Sequence, residues 1–333
     1  MKYSIVIPVF KRKNILKRCL KSISNQILKP LEVIIVDNNI KKFESKILHD
    51  LLSKSCYQDL NIRILKSSKN SGAIARNIGA RSSNGDIVAF LDSDVILDSD
   101  YYKVLITYFS NRKNLIAIQG TDRSLIESQF KNNYNIFYKV GYYLEQFFET
   151  SLIFNQKSAY VSPSMAVAHP NVKNDFEVSS QWISTCAGLF KREIFEDYSF
   201  PSQFVTYSNN EYLLFSHQLF LDKRGEMIYT SKAKYRDIQT PIGRIPSRSL
   251  MYQIQTYDLF IFLKLFRMDP LKFVIFLKSR IGHLLLNIIK LFTKNNFSFT
   301  NLFCAFHSII YPFLNIKSII NEDLTFYEKD FPL

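Results

Sequence analysis

Four short runs, residues 3–9, 33–36, 62–65 and 87–91, are almost wholly apolar, and segments of helical period stand between them. A run without polar alternation is buried on both faces, which is the mark of a parallel strand inside a sheet. Parallel neighbours need long crossovers, and the intervals supply them. Ile15, Leu16, Cys19, Leu20, Ile23 and Ile27 recur at helical spacing, as do Ile47, Leu48, Leu51 and Leu52. Residues 72–82 read as a helix entered from the turn Asn70-Ser71-Gly72. The pattern predicts an α/β fold, a Rossmann-like, doubly wound and mostly parallel sheet.

Ligands of such sheets bind beyond the carboxyl ends of the strands. Those ends carry Pro8-Val9-Phe10, Asp37-Asn38-Asn39 and Asp92-Ser93-Asp94. Asp92 and Asp94 leave one strand together as two hard oxygen ligands, a set that suits Mg²⁺ or Mn²⁺ and, through the cation, a nucleotide diphosphate. Aspartate and serine are also favoured turn residues, so the triplet on its own leaves both readings open.

Further along, residues 111–180 lose the pattern, with polar insertions such as Lys131-Asn132-Asn133-Tyr134-Asn135. They are expected to form a less regular part that covers the crevice. Residues 182–190 are apolar, 191–195 read as the start of a short helix, 211–221 as a helix ending before Gly225, and 227–230 as one more strand. Beyond 250 the chain reads as helices at 254–266, 271–292 and 303–310, each interrupted by Lys, Arg or His before 18 apolar residues accumulate. Apolar faces edged by Lys and Arg suit a helix lying on a membrane surface, and an apolar stripe equally suits packing on a domain. Three regions are expected: 1–110 and 111–240 as two halves of one α/β domain, and 241–333 as a helical extension.

The net charge of +14 is unevenly placed, with 17 Lys/Arg against 5 Asp/Glu in residues 1–85 and 10 against 2 in residues 241–320. Such a balance favours anionic partners. Nucleic acid is not expected, because the basic residues form no recognisable binding motif and the strand-end acids would repel phosphate unless a metal intervened. Cys19, Cys56, Cys186 and Cys304 lack metal or redox spacing, which fits a reducing, cytoplasmic compartment. The first apolar run contains Pro8 and no small-residue cleavage pattern, so it reads as a strand and not as a signal peptide.

The strings SIVIPVFKR, EVIIVDN, NSGAIARNIGA and GDIVAFLDSD, in this order and at these intervals, resemble the nucleotide-sugar-binding half of family-2 glycosyltransferases, which have the GT-A fold. The resemblance is strong over residues 3 to 105, moderate over 180 to 235 and faint elsewhere. It implies that Pro8 and Phe10 flank the nucleotide, with the Phe10 ring stacked on its base. Asp37 accepts a base N–H, although the family commonly has two adjacent acids where this chain has Asp37-Asn38. Arg76 and Asn77 match an Ala-Arg-Asn segment beside the nucleotide. Asp92 and Asp94 match the Asp-x-Asp signature, with Asp92 toward the ribose or the waters of the metal and Asp94 on the divalent cation.

On the acceptor side the family often has a Glu-Asp pair opening a helix. Here the comparable segment, Ser208-Asn209-Asn210-Glu211, has one acid, and Glu211 becomes the candidate base, with Asp175 and Glu177 as weaker alternatives. Glu211 equally suits a first-turn position favoured by the helix dipole. Cys186-Ala187-Gly188 falls where the family has a small-residue loop near sugar and acceptor, and Trp182 is a candidate apolar platform for a sugar ring. The expectation is a metal-dependent, inverting transfer from a nucleotide-diphosphate sugar, a UDP-sugar first, to a hydroxyl of a glycan or polyprenyl-linked acceptor in surface polysaccharide assembly. The place expected is the cytoplasm, peripherally at the inner face of the membrane. The rival is a catalytically silent GT-A domain that binds a nucleotide sugar or serves as an assembly scaffold.

Overall fold

The apolar runs form the middle of one sheet. The computed structural model describes the chain except for residues 40, 42–45, 47, 49–58, 131–135, 151, 172–174, 207–209, 239, 241–244, 294–297 and 332–333. Ile47, Leu51, Leu52, the insertion at 131–135, Ser208 and Asn209 therefore lie outside the described residues. Strand β1 (Tyr3–Val9) is followed by α1 (Lys13–Ser24), β2 (Glu32–Asp37), β3 (Ile62–Lys66), α2 (Gly72–Arg81) and β4 (Ile87–Phe90). Next come β5 (Val95–Leu97), α3 (Tyr101–Asn111), β6 (Leu115–Asp122), α4 (Arg123–Phe130), α5 (Ile136–Phe148), β7 (Leu152–Gln156) and β8 (Val167–Pro170). Then follow β9 (Glu177–Ser179), β10 (Leu189–Lys191), α6 (Ile194–Asp197), α7 (Glu211–Leu221) and β11 (Glu226–Asp237). Helices α8 (Ser247–Phe266), α9 (Pro270–Thr293), α10 (Phe299–Leu314), α11 (Ile316–Ile320) and α12 (Thr325–Asp330) complete the order.

Packing divides the chain into two compact units, Met1–Gln129 with Val172–Arg244, and Phe130–Asn171 with Ile245–Leu333. The boundaries at 110 and 240 separate expected roles, whereas packing groups residues 130–171 with the C-terminal helices.

The first unit holds the sheet, in the order β3-β2-β1-β4-β10-β6-β11-β5, with β9 also on β11. β1 pairs in parallel with β2 and β4, and β2 with β3, so the three strand ends singled out from the sequence belong to adjacent strands. Every residue of β2, β4 and β6 is buried, in keeping with cover on both faces.

Two expectations are corrected here. The stretch after 111 is not irregular throughout, since β6 lies in the middle of the sheet, parallel to β11. Its apolar run is only Leu115 to Ile118, and Gln119, Gly120 and Thr121 conceal the rest. Lys191 does not open a helix but ends β10, which fills the gap between β4 and β6 antiparallel to both; the helix starts at Ile194. Backbone pairing on both sides outweighs the local helical period.

Helix α2 is capped by Ser71, whose hydroxyl accepts the Ile74 N–H at 3.2 Å. It packs directly onto β1 at Gly79, where a Cβ would lie 2.2 Å from Cγ1 of Val6. That close approach sets the preceding turn of the helix, which carries Arg76, toward the carboxyl ends of the strands.

The second unit contains the parallel pair β7-β8 and helices α5 and α8 to α12. At its centre Arg280 is buried; its Nη1 donates to Gln255 Oε1 at 2.8 Å and Asp258 Oδ2 at 2.9 Å, and its Nη2 to the Ser164 carbonyl at 2.8 Å. Among the described residues no helix is long and apolar enough to cross a membrane.

Gly79→Val places a branched side chain into the α2–β1 contact and is expected to cost about 1–3 kcal/mol. A urea titration reads this as a lowered midpoint at unchanged slope, and an unchanged midpoint would contradict the contact.

Candidate functional site

The site is built around one buried guanidinium. The α2–β1 contact brings Arg76, 6% exposed, to the end of β4, where its Nη2 donates to Asp92 Oδ1 at 2.7 Å and its Nη1 donates to Glu211 Oε1. Burial alone would lower the pKa of the guanidinium, but Glu211 and Asp92 outweigh it and hold the group above its ordinary value. Glu211 opens α7 after Asn210, which adopts the left-handed conformation that asparagine tolerates. Burial lifts the Glu211 carboxyl to about 7 against the opposing pull of Arg76, and Asp92 adds to the rise. The Nε of Arg76 is buried with no hydrogen-bond partner among the described residues.

A second cation stands beside the second strand-end acid. Asp94 is buried, and its Oδ1 lies 2.8 Å from Nη1 of Arg12. Arg12 precedes α1 in a turn where Lys11 has a φ of 58°, and the Lys11 N–H donates to Asn39 Oδ1 at 2.8 Å. No spacing in the sequence announces Arg12, whose pairing follows from the turn.

At the ends of β1 and β2, Pro8 and Phe10 are half-buried, and Nζ of Lys11 lies 5.1 Å from the Phe10 ring centre. Asp37 is buried and engaged; its Oδ1 accepts the Asn39 N–H at 2.9 Å and Asn39 Nδ2 at 2.7 Å, and its Oδ2 pairs with Lys66 Nζ at 2.9 Å. Next to it, Asn38 donates to the Ser71 carbonyl at 3.3 Å while its Oδ1 has no partner among the described residues. Asn77 is turned to other work: its amide donates to the Phe200 carbonyl at 2.9 Å and accepts the Phe200 N–H at 2.8 Å, pinning that segment to α2.

The Cys186-Ala187-Gly188 segment runs beside β4, where the Cys186 carbonyl accepts the Asp92 N–H and the Gly188 carbonyl accepts the Phe90 N–H, both at 2.9 Å. A Cβ on Gly188 would meet the Ser184 carbonyl oxygen at 2.2 Å, so this glycine is required by packing. Burial pushes the Cys186 thiol well up, and Asp92, Asp237, Asp94 and Asp122 raise it further. Asp122 and Asp237 end β6 and β11; the broken apolar run of β6 hides the first, and the second lies beyond the 227–230 strand expected from the sequence. Trp182 is buried, with its ring against Tyr212 and Tyr229, a place in the packing and not an open platform. Glu177 is drawn to the other end of the sheet by Arg112, Lys232 and the Tyr108 hydroxyl. Asp175 accepts from Ser231 at 3.3 Å.

Among the described residues no three His, Cys, Asp or Glu side chains are grouped to cage a metal. Asp92 and Asp94 instead offer two carboxylates at one strand end. That donor set fits a Mg²⁺-type cation held by one or two carboxylates, with substrate phosphates and water completing its shell.

The profile of the Glycosyl transferase family 2 matches residues 4–171. Glycosyltransferase GlyA of Streptococcus pneumoniae is 26% identical over 201 residues, which cover 60% of this chain and 26% of GlyA. The amylovoran biosynthesis glycosyltransferase AmsB of Erwinia amylovora is 31% identical over 128 residues, 38% of this chain and 40% of AmsB. The chain thus spans less than half the length of either relative. Among solved structures, the mannosyltransferase PcManGT of Pyrobaculum calidifontis, in complex with GDP-Man and Mn²⁺, superposes with a TM-score of 0.51 at 15% identity over 92% of this chain and 73% of its own. That likeness is one of fold, the GT-A arrangement of a mostly parallel sheet. On the family profile and the strand-end motifs together, the chain belongs to glycosyl transferase family 2.

Proposed function

We propose that the protein transfers a sugar from a nucleotide-diphosphate donor, a UDP-sugar first, to a hydroxyl of a glycan or polyprenyl-linked acceptor in polysaccharide assembly. The observation that carries this reading is the pair of arginines on the strand-end acids, buried Arg76 on Asp92 and half-buried Arg12 on Asp94. Each guanidinium can turn to a phosphate oxygen when a donor arrives and release the carboxylate beside it. The Nε of Arg76 and Oδ1 of Asn38, without partners among the described residues, are polar atoms that a nucleotide can satisfy. The names of AmsB and PcManGT support the substrate class.

Asp94 and Asp92 would hold the divalent cation, which when bound offsets the charge of the departing diphosphate. Glu211 takes the acceptor proton as the hydroxyl attacks the anomeric carbon, in a single displacement that inverts it. Burial raises the affinity of Glu211 for a proton, and Arg76 keeps it from rising so far that the base form is lost near neutrality. We place the reaction in the cytoplasm at the inner face of the membrane.

Nucleotide release from UDP-, GDP- and dTDP-sugars with Mn²⁺ tests the reading. One donor class is expected to turn over, and no turnover of any, with nucleotide still bound, would put a silent binding domain in its place. Glu211→Gln is expected to lower kcat by about 10²–10⁴-fold while donor affinity holds. Because the base form of Glu211 grows with pH, kcat/KM should climb as pH rises and level off above about 7, and a profile flat through that point would remove Glu211 from the role. Asn77→Ala should behave differently, costing about 1–3 kcal/mol of stability through two lost hydrogen bonds and leaving donor affinity unchanged. Weakened nucleotide binding at unchanged stability would return Asn77 to the nucleotide.

A further inference from the structure

Helix α9 is apolar on its outward side as well as on its buried one, where Phe276 and Leu286 pack. Its buried side carries Ser279 and Arg280, the latter held by Gln255, Asp258 and Ser164. Its outward side carries Val274, Leu277, Ile281 and Ile288, at spacings of three, four and seven that make one stripe. Val274 is 63% exposed and Ile281 57%. The stripe is not isolated. On α10, which packs against α9, Phe299, Phe303 and Phe306 are exposed at spacings of four and three. On α5, also packed against α9, Tyr143 and Phe147 are exposed, with Lys278 Nζ 4.1 Å from the Phe147 ring centre. A water-facing helix normally turns a polar face outward, and exposed apolar side chains gathered on neighbouring helices mark an interaction site.

We propose that these outward faces of α9, α10 and α5 form a surface that lies on an anionic lipid bilayer. The charges around the stripe select that occupant. Lys278 borders the stripe on α9, Arg267 stands in the turn before that helix, and Lys139 shares the exposed side of α5 with Tyr143 and Phe147. Residues 241–320 contain only two acids, and both are engaged: Asp258 holds Arg280 in the interior, and Asp269 accepts the N–H groups of Leu271 and Lys272. Apolar side chains flanked by cations match the boundary of acyl chains and anionic headgroups. A second copy of the same face would set these cations against their own equivalents, which disfavours a symmetric dimer through it. With no helix able to cross a bilayer among the described residues, α9 would lie in the interface, at 24 residues a bar about 36 Å long. This surface is read from the second unit alone and does not rest on the transfer reading.

Co-sedimentation of the full chain with vesicles of phosphatidylcholine alone, or of phosphatidylcholine with phosphatidylglycerol, tests it. Binding is expected only with phosphatidylglycerol and should weaken with salt. Lys139→Gln and Lys278→Gln should each lower the affinity about fivefold, and the exposed pair Val274→Asp with Ile281→Asp should abolish it. Nucleotide titration of the same preparations should be unchanged, which shows that the variants are folded and keeps the two readings apart. No binding to phosphatidylglycerol vesicles, or binding that none of these variants alters, would overturn the proposal. So would a dimer in sedimentation velocity that the aspartate pair splits while vesicles are ignored.

Discussion

The buried guanidinium of Arg76, shared between Asp92 and Glu211, is the interaction on which the rest of the site depends. Arg76 and Glu211 are both buried and are tolerable as charges only while each keeps its partner, because an uncompensated buried charge is strongly destabilising, whereas Asp92 is partly open to water. The arrangement joins α2, the end of β4 and the start of α7, elements far apart in sequence. It also sets the chemistry. Glu211 is basic enough to accept a proton near neutrality because it is buried, and remains available as a carboxylate because Arg76 is beside it. Arg12 on Asp94 repeats the device one strand position away, so both acids of the Asp-x-Asp run are already charge-compensated. An incoming diphosphate and cation would exchange partners with these arginines instead of entering an unbalanced acidic pocket.

How much of this was legible in the sequence follows from what each residue's role depends on. β1, β2 and β4 could be read because double-sided burial leaves continuous apolar runs, and with them came Asp37, Asp92 and Asp94 at adjacent strand ends. β10 could not, since three residues with Lys at the end carry no period, and their strand character comes from neighbours on both sides. β6 was lost to Gln119, Gly120 and Thr121, and Asp122 with it. Asn77 was assigned by the motif around it, but a motif gives the residue and not its direction, and here the amide turns to Phe200. Arg12 had no signal at all, because its contact rests on a left-handed Lys11.

The C-terminal helices make the same point about periodicity. Their apolar stripes were visible, yet a stripe says only that one face differs from the other, and both packing and an interfacial role fit it. What distinguishes them is the exposure of each face: α9 buries Phe276 and Leu286 beside Ser279 and Arg280, while Val274 and Ile281 on its other face stand in water. The fold thus gives one unit to the sheet and its charge-paired crevice, and the other to helices whose outer surface is apolar and basic.

The central claim is that the strand-end acids and their arginines form a site for a nucleotide diphosphate and a divalent cation. Isothermal titration of the protein with UDP, GDP and dTDP, each with and without Mn²⁺ and repeated on Asp94→Ala, tests it most directly. The account predicts that one nucleotide binds, that Mn²⁺ strengthens its binding, and that the substitution removes the Mn²⁺ dependence. Absence of binding by all three, or binding that neither Mn²⁺ nor Asp94→Ala changes, would contradict it.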